Sequence, residues 1–338
     1  MARIERLGTT QRLPLRQVKN FLLLNYPSAL GTAIHAAPLV AALHAAVPGA
    51  RVSVAASGLG MEIFRGNPGV EQLVETPNPL KNFWGAARVL RKKKFFGGQP
   101  FVAIQARGNE RSKIALAALF GGIPRRVGFS VVPQIMEVAV EGDAAQSLIA
   151  NNLHIVEALG HGPALQAALA NDPNLAEPRL FLSAANVVRA HTLLAEHGID
   201  ESLPIAVFVT QTSVTQRKSW RAERFRAVAE TLACEYGMQI VFVGTAGESA
   251  AIEVLRAPLT AANANVAGTT DIAELTALLG LADVALALDT GPMHLARSAR
   301  LPMVIVAPAW SPEVEWLPLG NPRARILKNL TLPSPPPE

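Results

Sequence analysis

The chain has 338 residues, half of them apolar, enough to fill about two ordinary α/β cores, which excludes a disordered chain as the starting expectation. Its single cysteine, Cys234, excludes an internal disulfide framework and a Cys-rich zinc site; lying in a helical pattern, it is expected in the core. A formal net charge of +5 and a pI near 9.6 favour anionic partners: nucleic acid, phosphorylated small molecules or an acidic membrane surface.

The basic first 19 residues read as a loose leader, because "FLLL" is shorter than a secretory apolar segment and no small-residue cleavage site follows. Residues 21–50 contain no Asp, Glu, Lys or Arg, yet Pro27, Gly31 and Pro38 interrupt them too often for a membrane span of about 20 residues. They predict a strand at 21–26, a turn, and one buried helix from Gly31 to about Ala46. A soluble cytoplasmic protein is the expectation. Next come "VSVAA" (52–56) before "LGMEIFRG", and "FVAIQA" (101–106) before "ERSKIALAALFGG". Strands separated by helices imply parallel βαβ units covered on both faces.

The Pro/Gly/Asn-rich stretch near 161–178 reads as a linker, and after it the pattern restarts. "IAVFVT" (205–210) precedes a helix at about 221–236, "QIVFVG" (239–244) precedes 247–257, and "DVALAL" (283–288) precedes 292–299; "PMVIVA" (302–307) follows. The prediction is two doubly wound α/β domains with parallel sheets, 1–172 and 173–338, facing one another. Ligands of such sheets bind beyond the C-terminal ends of the strands, so function belongs in the turns there.

Three turns of the second half stand out. In "LALDTGPMHLARS" (286–298), Asp289 ends a strand and Pro292 suits the first helical position, with Gly291 or Thr290 as cap. The plain reading is a strand stop and helix cap. Thr290, Gly291 and His294 add free backbone N–H groups, a hydroxyl and an imidazole, which together make an anion cradle. "TQTSVTQRKSW" (210–220) is either a solvated loop or a diphosphate contact, with Lys218 as the point charge and Ser213 or Thr215 as donor. In "VFVGTAGES" (241–249), Glu248 either offsets the helix dipole or accepts from ribose hydroxyls.

In the first half, "GNERS" (108–112) places Asn109 and Arg111 at the cleft as anion or acceptor contacts, or else as surface groups. "RVLRKKKFF" (88–96) is a basic run, ordinarily a solvated face, able to meet an acidic acceptor or the inner-membrane face. No aromatic spacing favours base stacking, so nucleic acid is not an expected partner.

Taken together, "KSW" (218–220), "VFVGTAGE" (241–248), "AGTTDIAEL" (267–275) and "DTGPMHLA" (289–296) resemble glycosyltransferase family 9, the lipopolysaccharide heptosyltransferases. "RRVGF" (125–129) and "NLHIVEALG" (152–160) agree more weakly. The resemblance implies the GT-B architecture, two Rossmann-like domains about a cleft, with the nucleotide sugar, typically ADP-heptose, on the C-terminal domain and the acceptor on the N-terminal one. It implies that Lys218 and Ser213 contact the diphosphate and Glu248 the ribose. By the same resemblance Gly268 and Thr269 flank the base, Asp289 sits by the sugar hydroxyls, and Thr290, Gly291 and His294 take the phosphate end. No metal is needed if these groups and Lys218 suffice to offset the leaving diphosphate, no tight acidic motif of the metal-dependent kind stands in the sequence, and no cofactor beyond the substrate is expected.

One position departs from that pattern. Family members usually carry Gly-Asp in the first turn, the Asp serving as base toward the acceptor hydroxyl, whereas "SALGTAIHAAP" places Thr32 there. A threonine hydroxyl is no general base near neutral pH. Three alternatives follow: His35, three residues along the same helix face; a carboxylate from another turn, such as Glu110; or a silent nucleotide-sugar-binding protein.

Overall fold

The computed structural model describes residues 13–212, 220–308 and 313–328. Two six-stranded parallel sheets carry the chain. The first is built from β1 (Asn20–Asn25), α1 (Leu30–Ala36), α2 (Pro38–Ala46), β2 (Arg51–Ala56), α3 (Leu59–Phe64), β3 (Val70–Glu75), α4 (Phe83–Lys92), β4 (Val102–Gln105), α5 (Ser112–Phe120), β5 (Arg126–Gly128), β6 (Val138–Ala139), α6 (Leu148–Val156) and α7 (Gly162–Asn171). The second takes α8 (Ala184–Glu196), β7 (Ile205–Val209), α9 (Ala222–Tyr236), β8 (Gln239–Val243), α10 (Ser249–Arg256), β9 (Asn263–Asn265), α11 (Ile272–Leu281), β10 (Val284–Leu288), α12 (Gly291–Ser298), β11 (Met303–Ala307), α13 (Glu313–Trp316) and β12 (Ala324–Lys328).

Strand orders are β3-β2-β1-β4-β5-β6 and β12-β11-β10-β7-β8-β9, so each sheet reverses direction once, between β1 and β4 and between β7 and β10. A crevice opens at such a reversal because the flanking loops leave toward opposite faces. The central strands are apolar throughout, as burial on both faces demands: β1 and β7 are buried at every position. A continuous buried apolar cluster reaches from Ile34 and Leu39 in the first domain to Leu278 and Met293 in the second.

Three expectations change. The single helix over 31–46 is two, because Pro38 has no N–H to continue the ladder; Ala37 stays helical and the chain bends there. The supposed linker at 161–178 instead contains α7, whose Ala- and Leu-rich sequence is a good helix former and whose Leu165 is fully buried. The chain passes from the elements of the first sheet to those of the second between α7 and α8. Cys234 is exposed: Phe225 and Ala229 define the buried stripe of α9, and a residue five positions beyond Ala229 turns away from it. Among the described residues no helix is long and apolar enough to cross a membrane, and no group of three or more His, Cys, Asp or Glu could hold a metal.

Gly128 fixes the pairing of β5 on β4. Its φ is +128°, and a Cβ there would run into the backbone of Gln105, its register partner. Gly128→Ala is expected to lower stability by more than about 2 kcal/mol, read as a fall in the urea midpoint, because strain and backbone overlap add.

Candidate active site

The turn after β1 and the turn after β4 flank the reversal point of the first sheet. The second of these is pinned from three sides. Tyr26 donates its N–H to Asn109 Oδ1 at 3.2 Å, Gln105 Nε2 donates to the Asn109 carbonyl at 2.5 Å, and the Arg107 N–H donates to Asn152 Oδ1 at 2.8 Å. Gly108 has φ +86°, and the space a Cβ would take there is filled by the Thr32 methyl. The Gly108 N–H donates to Glu110 Oε2 at 2.8 Å. Thr32 therefore abuts the very turn that carries a half-buried carboxylate.

The turn after β10 belongs to the reversal point of the second sheet. Asp289 is 4% exposed, Thr290 is the cap residue without a side-chain capping bond, and Gly291 and Pro292 open α12. This turn meets α1 directly: a Cβ on Gly291 would lie 3.0 Å from Leu30, and one on Gly31 would lie 2.7 Å from the His294 ring. His294 Nδ1 is 3.1 Å from His35 Nε2, with the two rings edge to face at 4.6 Å between centroids. The Trp316 ring stacks on His35 at 5.8 Å, and Arg107 pairs with Glu315 at 3.7 Å. Both halves of the cleft are thus in contact through α1, α12 and α13.

Beside this junction lie the turns after β8 and β9. Glu248 Oε2 accepts the Thr245 N–H at 2.7 Å in a capping box, so its first role is to satisfy the helix start. Gly268, with φ +78°, lies so close to Ala246 that a Cβ would fall 2.5 Å from its Cα; the Gly268 N–H donates to the Gly244 carbonyl at 3.0 Å. Gly268, Thr269 and Glu248 are therefore brought together at one sheet edge. β7 lies between β8 and β10, and the segment after it, with Ser213, Thr215, Arg217 and Lys218, lies outside the described residues.

Among the first-half candidates, Asn109 is 1% exposed and spends its oxygen on Tyr26, so it braces the turn, while Arg111 is exposed at the start of α5. His35 is 1% exposed and held between His294 and Trp316. Burial first, then the charges of His294 and Arg297, push its imidazole well below the usual histidine range. Sequence reading gave no place to Trp316, Arg107 or Glu315; nothing local in "EVEW" signals a partner some 280 residues earlier.

The depressed His35 value sets a pH dependence. The unfolded chain takes up this proton near pH 6.5 and the folded one only well below that, so stability is complete above the unfolded value and is lost as pH falls beneath it. The urea midpoint of the wild type should drop more between about pH 7.5 and pH 5.5 than that of His35→Gln. Parallel pH profiles for the two would remove His35 as the source.

The sequence model of glycosyltransferase family 9 (heptosyltransferase) matches residues 117–331. Among solved structures, a family 9 glycosyltransferase from Veillonella parvula superposes with a TM-score of 0.79 at 18% identity, over 93% of this chain and 87% of that one. The E. coli ADP-heptose lipopolysaccharide heptosyltransferase II superposes at 0.71 and 20% identity, over 92% and 91%. E. coli heptosyltransferase WaaC with ADP follows at 0.62 and 16%, over 91% and 90%. A comparison with curated protein sequences gives no match. The two Rossmann-like sheets are those of GT-B heptosyltransferases, and with the family model covering well over half its length the chain belongs to glycosyltransferase family 9, the heptosyltransferases.

Proposed function

We propose that the chain is an inverting glycosyltransferase that moves a heptose from ADP-heptose to an anionic glycan or glycolipid, such as the lipopolysaccharide inner core. The observation that carries this reading is the meeting of two turns at the two reversal points: Asp289–Thr290–Gly291 opposite Leu30–Gly31–Thr32. A donor held by the first turn presents its anomeric carbon to an acceptor held by the second.

In the transfer, the acceptor oxygen bonds to the anomeric carbon while the bond from that carbon to the diphosphate oxygen breaks, and ADP leaves with the electron pair. The leaving diphosphate gains charge, which the uncapped first turn of α12 and, by expectation, Lys218 and Ser213 offset. Asp289 meets the sugar hydroxyls; Glu248, its cap bond fixing one oxygen, turns the other to the ribose, and Gly268 and Thr269 flank the base. No metal or cofactor enters this scheme.

The acceptor proton needs a base, and Glu110 fits better than His35. Glu110 sits on the turn that Thr32 touches, held by the Gly108 N–H, and a carboxylate oxygen is chemically suited to take a proton from a hydroxyl. His35 is enclosed, shares its Nε2 with His294, and its depressed basicity makes it a poor proton acceptor. His35 then acts as the packing element that seats α12 on α1.

A second reading, a silent nucleotide-sugar binder, rests on Thr32 itself. Calorimetry with ADP and a transfer assay with ADP-heptose and de-lipidated inner-core acceptor separate the two. The expected result is turnover that falls about a hundredfold or more in Glu110→Gln with ADP affinity unchanged, and that partly recovers when Thr32→Asp is added to that variant. Binding without turnover on any acceptor supports the silent reading, and no binding of ADP or ADP-heptose defeats both.

A further inference from the structure

In the first domain, α4 and α5 bring three aromatic rings together on the surface. Trp84 is 67% exposed and Phe120 is 46% exposed, and with Phe83 they stand edge to face, their centroids 4.9 to 5.8 Å apart. Leu119, next to Phe120, is also exposed. Large rings clustered in water mark a surface that something else covers.

The charge around them is one-sided. Between residues 76 and 136 the only acid is Glu110, against eleven Lys and Arg, of which Arg107 and Arg125 pair with Glu315 and Glu137 and Arg126 is buried, although the whole chain carries only +5. The rest of the chain is therefore net acidic, and the positive charge is concentrated here. α4 turns Ala86, Ala87 and Leu90 inward and leaves Arg88, Arg91 and Lys92 in water, followed by exposed Lys93 and Lys94. The Arg91 guanidinium donates to the Phe120 carbonyl at 2.9 Å, which places a cation beside the rings. Among the described residues none of these five cations has a carboxylate within 4.0 Å.

We propose that this face is a membrane anchor that docks the enzyme on a bilayer rich in anionic phospholipid. Phe83, Trp84 and Phe120 enter the interfacial layer, where aromatic rings are favoured, and the cations of α4 and of residues 93–94 lie against the lipid phosphates. Uncompensated, long, flexible cations around an apolar knob match a surface that is anionic at its face and apolar beneath. Docking on a bilayer uses none of the groups assigned to the transfer, so the anchor survives or fails independently of the proposed reaction.

The test is flotation of the full chain with vesicles of phosphatidylglycerol and phosphatidylethanolamine, and with phosphatidylcholine alone. The expected result is binding to the anionic vesicles only, weakening as salt rises. Trp84→Ser with Phe120→Ser, and separately Arg88→Glu with Lys92→Glu, should each weaken it more than about tenfold, with circular dichroism and ADP affinity unchanged. All four positions are exposed, so the variants should fold. Equal flotation with both vesicle types, or variants that float like the wild type, overturns the proposal. So does a dimer in sedimentation without lipid that Trp84→Ser with Phe120→Ser dissociates, which would give the face to a second copy.

Discussion

The absence of a side chain at Gly31 is the constraint on which the cleft depends. The His294 ring occupies the space that a Cβ would fill, which lets α12 of one domain rest on the backbone of α1 of the other. His35 then bonds to His294 and Trp316 closes over His35, so three rings from two domains make one packed unit. With α1 and α12 in contact, the loops at the two sheet reversals open toward one another. A larger residue at 31 would separate them, and a donor on one turn would no longer meet an acceptor on the other; transfer chemistry tolerates little such displacement.

On the proposed reading, the same junction supplies a base to a site that has Thr32 where the family resemblance implies an acid. The position of Thr32 is defined by what it touches, the glycine at the crest of the turn after β4. That turn is held by Tyr26, Gln105 and Asn152 from three different elements, so its carboxylate is fixed with little freedom to lose on binding. On that reading an acid on the facing turn takes the place of an acid on α1. Asn109, an acceptor contact by the sequence expectation, also braces this turn through its oxygen.

What could be read from the sequence follows from what burial demands of it. The strands buried on both faces, β1, β2, β4, β7, β8 and β10, announce themselves as short apolar runs, and most of the candidate site turns follow them. The outer strands do not. "NAN" in β9 and "ARILK" in β12 are strands only because a neighbour pairs with them, and half-exposed positions place no apolar requirement on the residues. Asp289, Thr290 and Gly291 were legible as a strand stop and cap, because caps are local chemistry. Their contact with Leu30 and Gly31 was not, since it depends on how two domains pack across some 260 residues. Cys234 failed for a related reason: helix and strand periods say that a face is buried, but one residue at the margin of a helix is decided by its neighbours.

The two halves of the chain also differ in how their chemistry is written. The turns proposed for the donor rely on backbone: glycines that allow close approach, a helix start whose cap residue makes no side-chain bond, a capping box, a turn stacked on a turn. Such features come with the fold, and the family model begins at residue 117 and runs through all of them. The proposals for the acceptor and the membrane face rest on side chains, Thr32 and Glu110 for the one and Trp84 and Arg88 for the other, all before residue 117, while the superposed structures still cover more than nine-tenths of the chain.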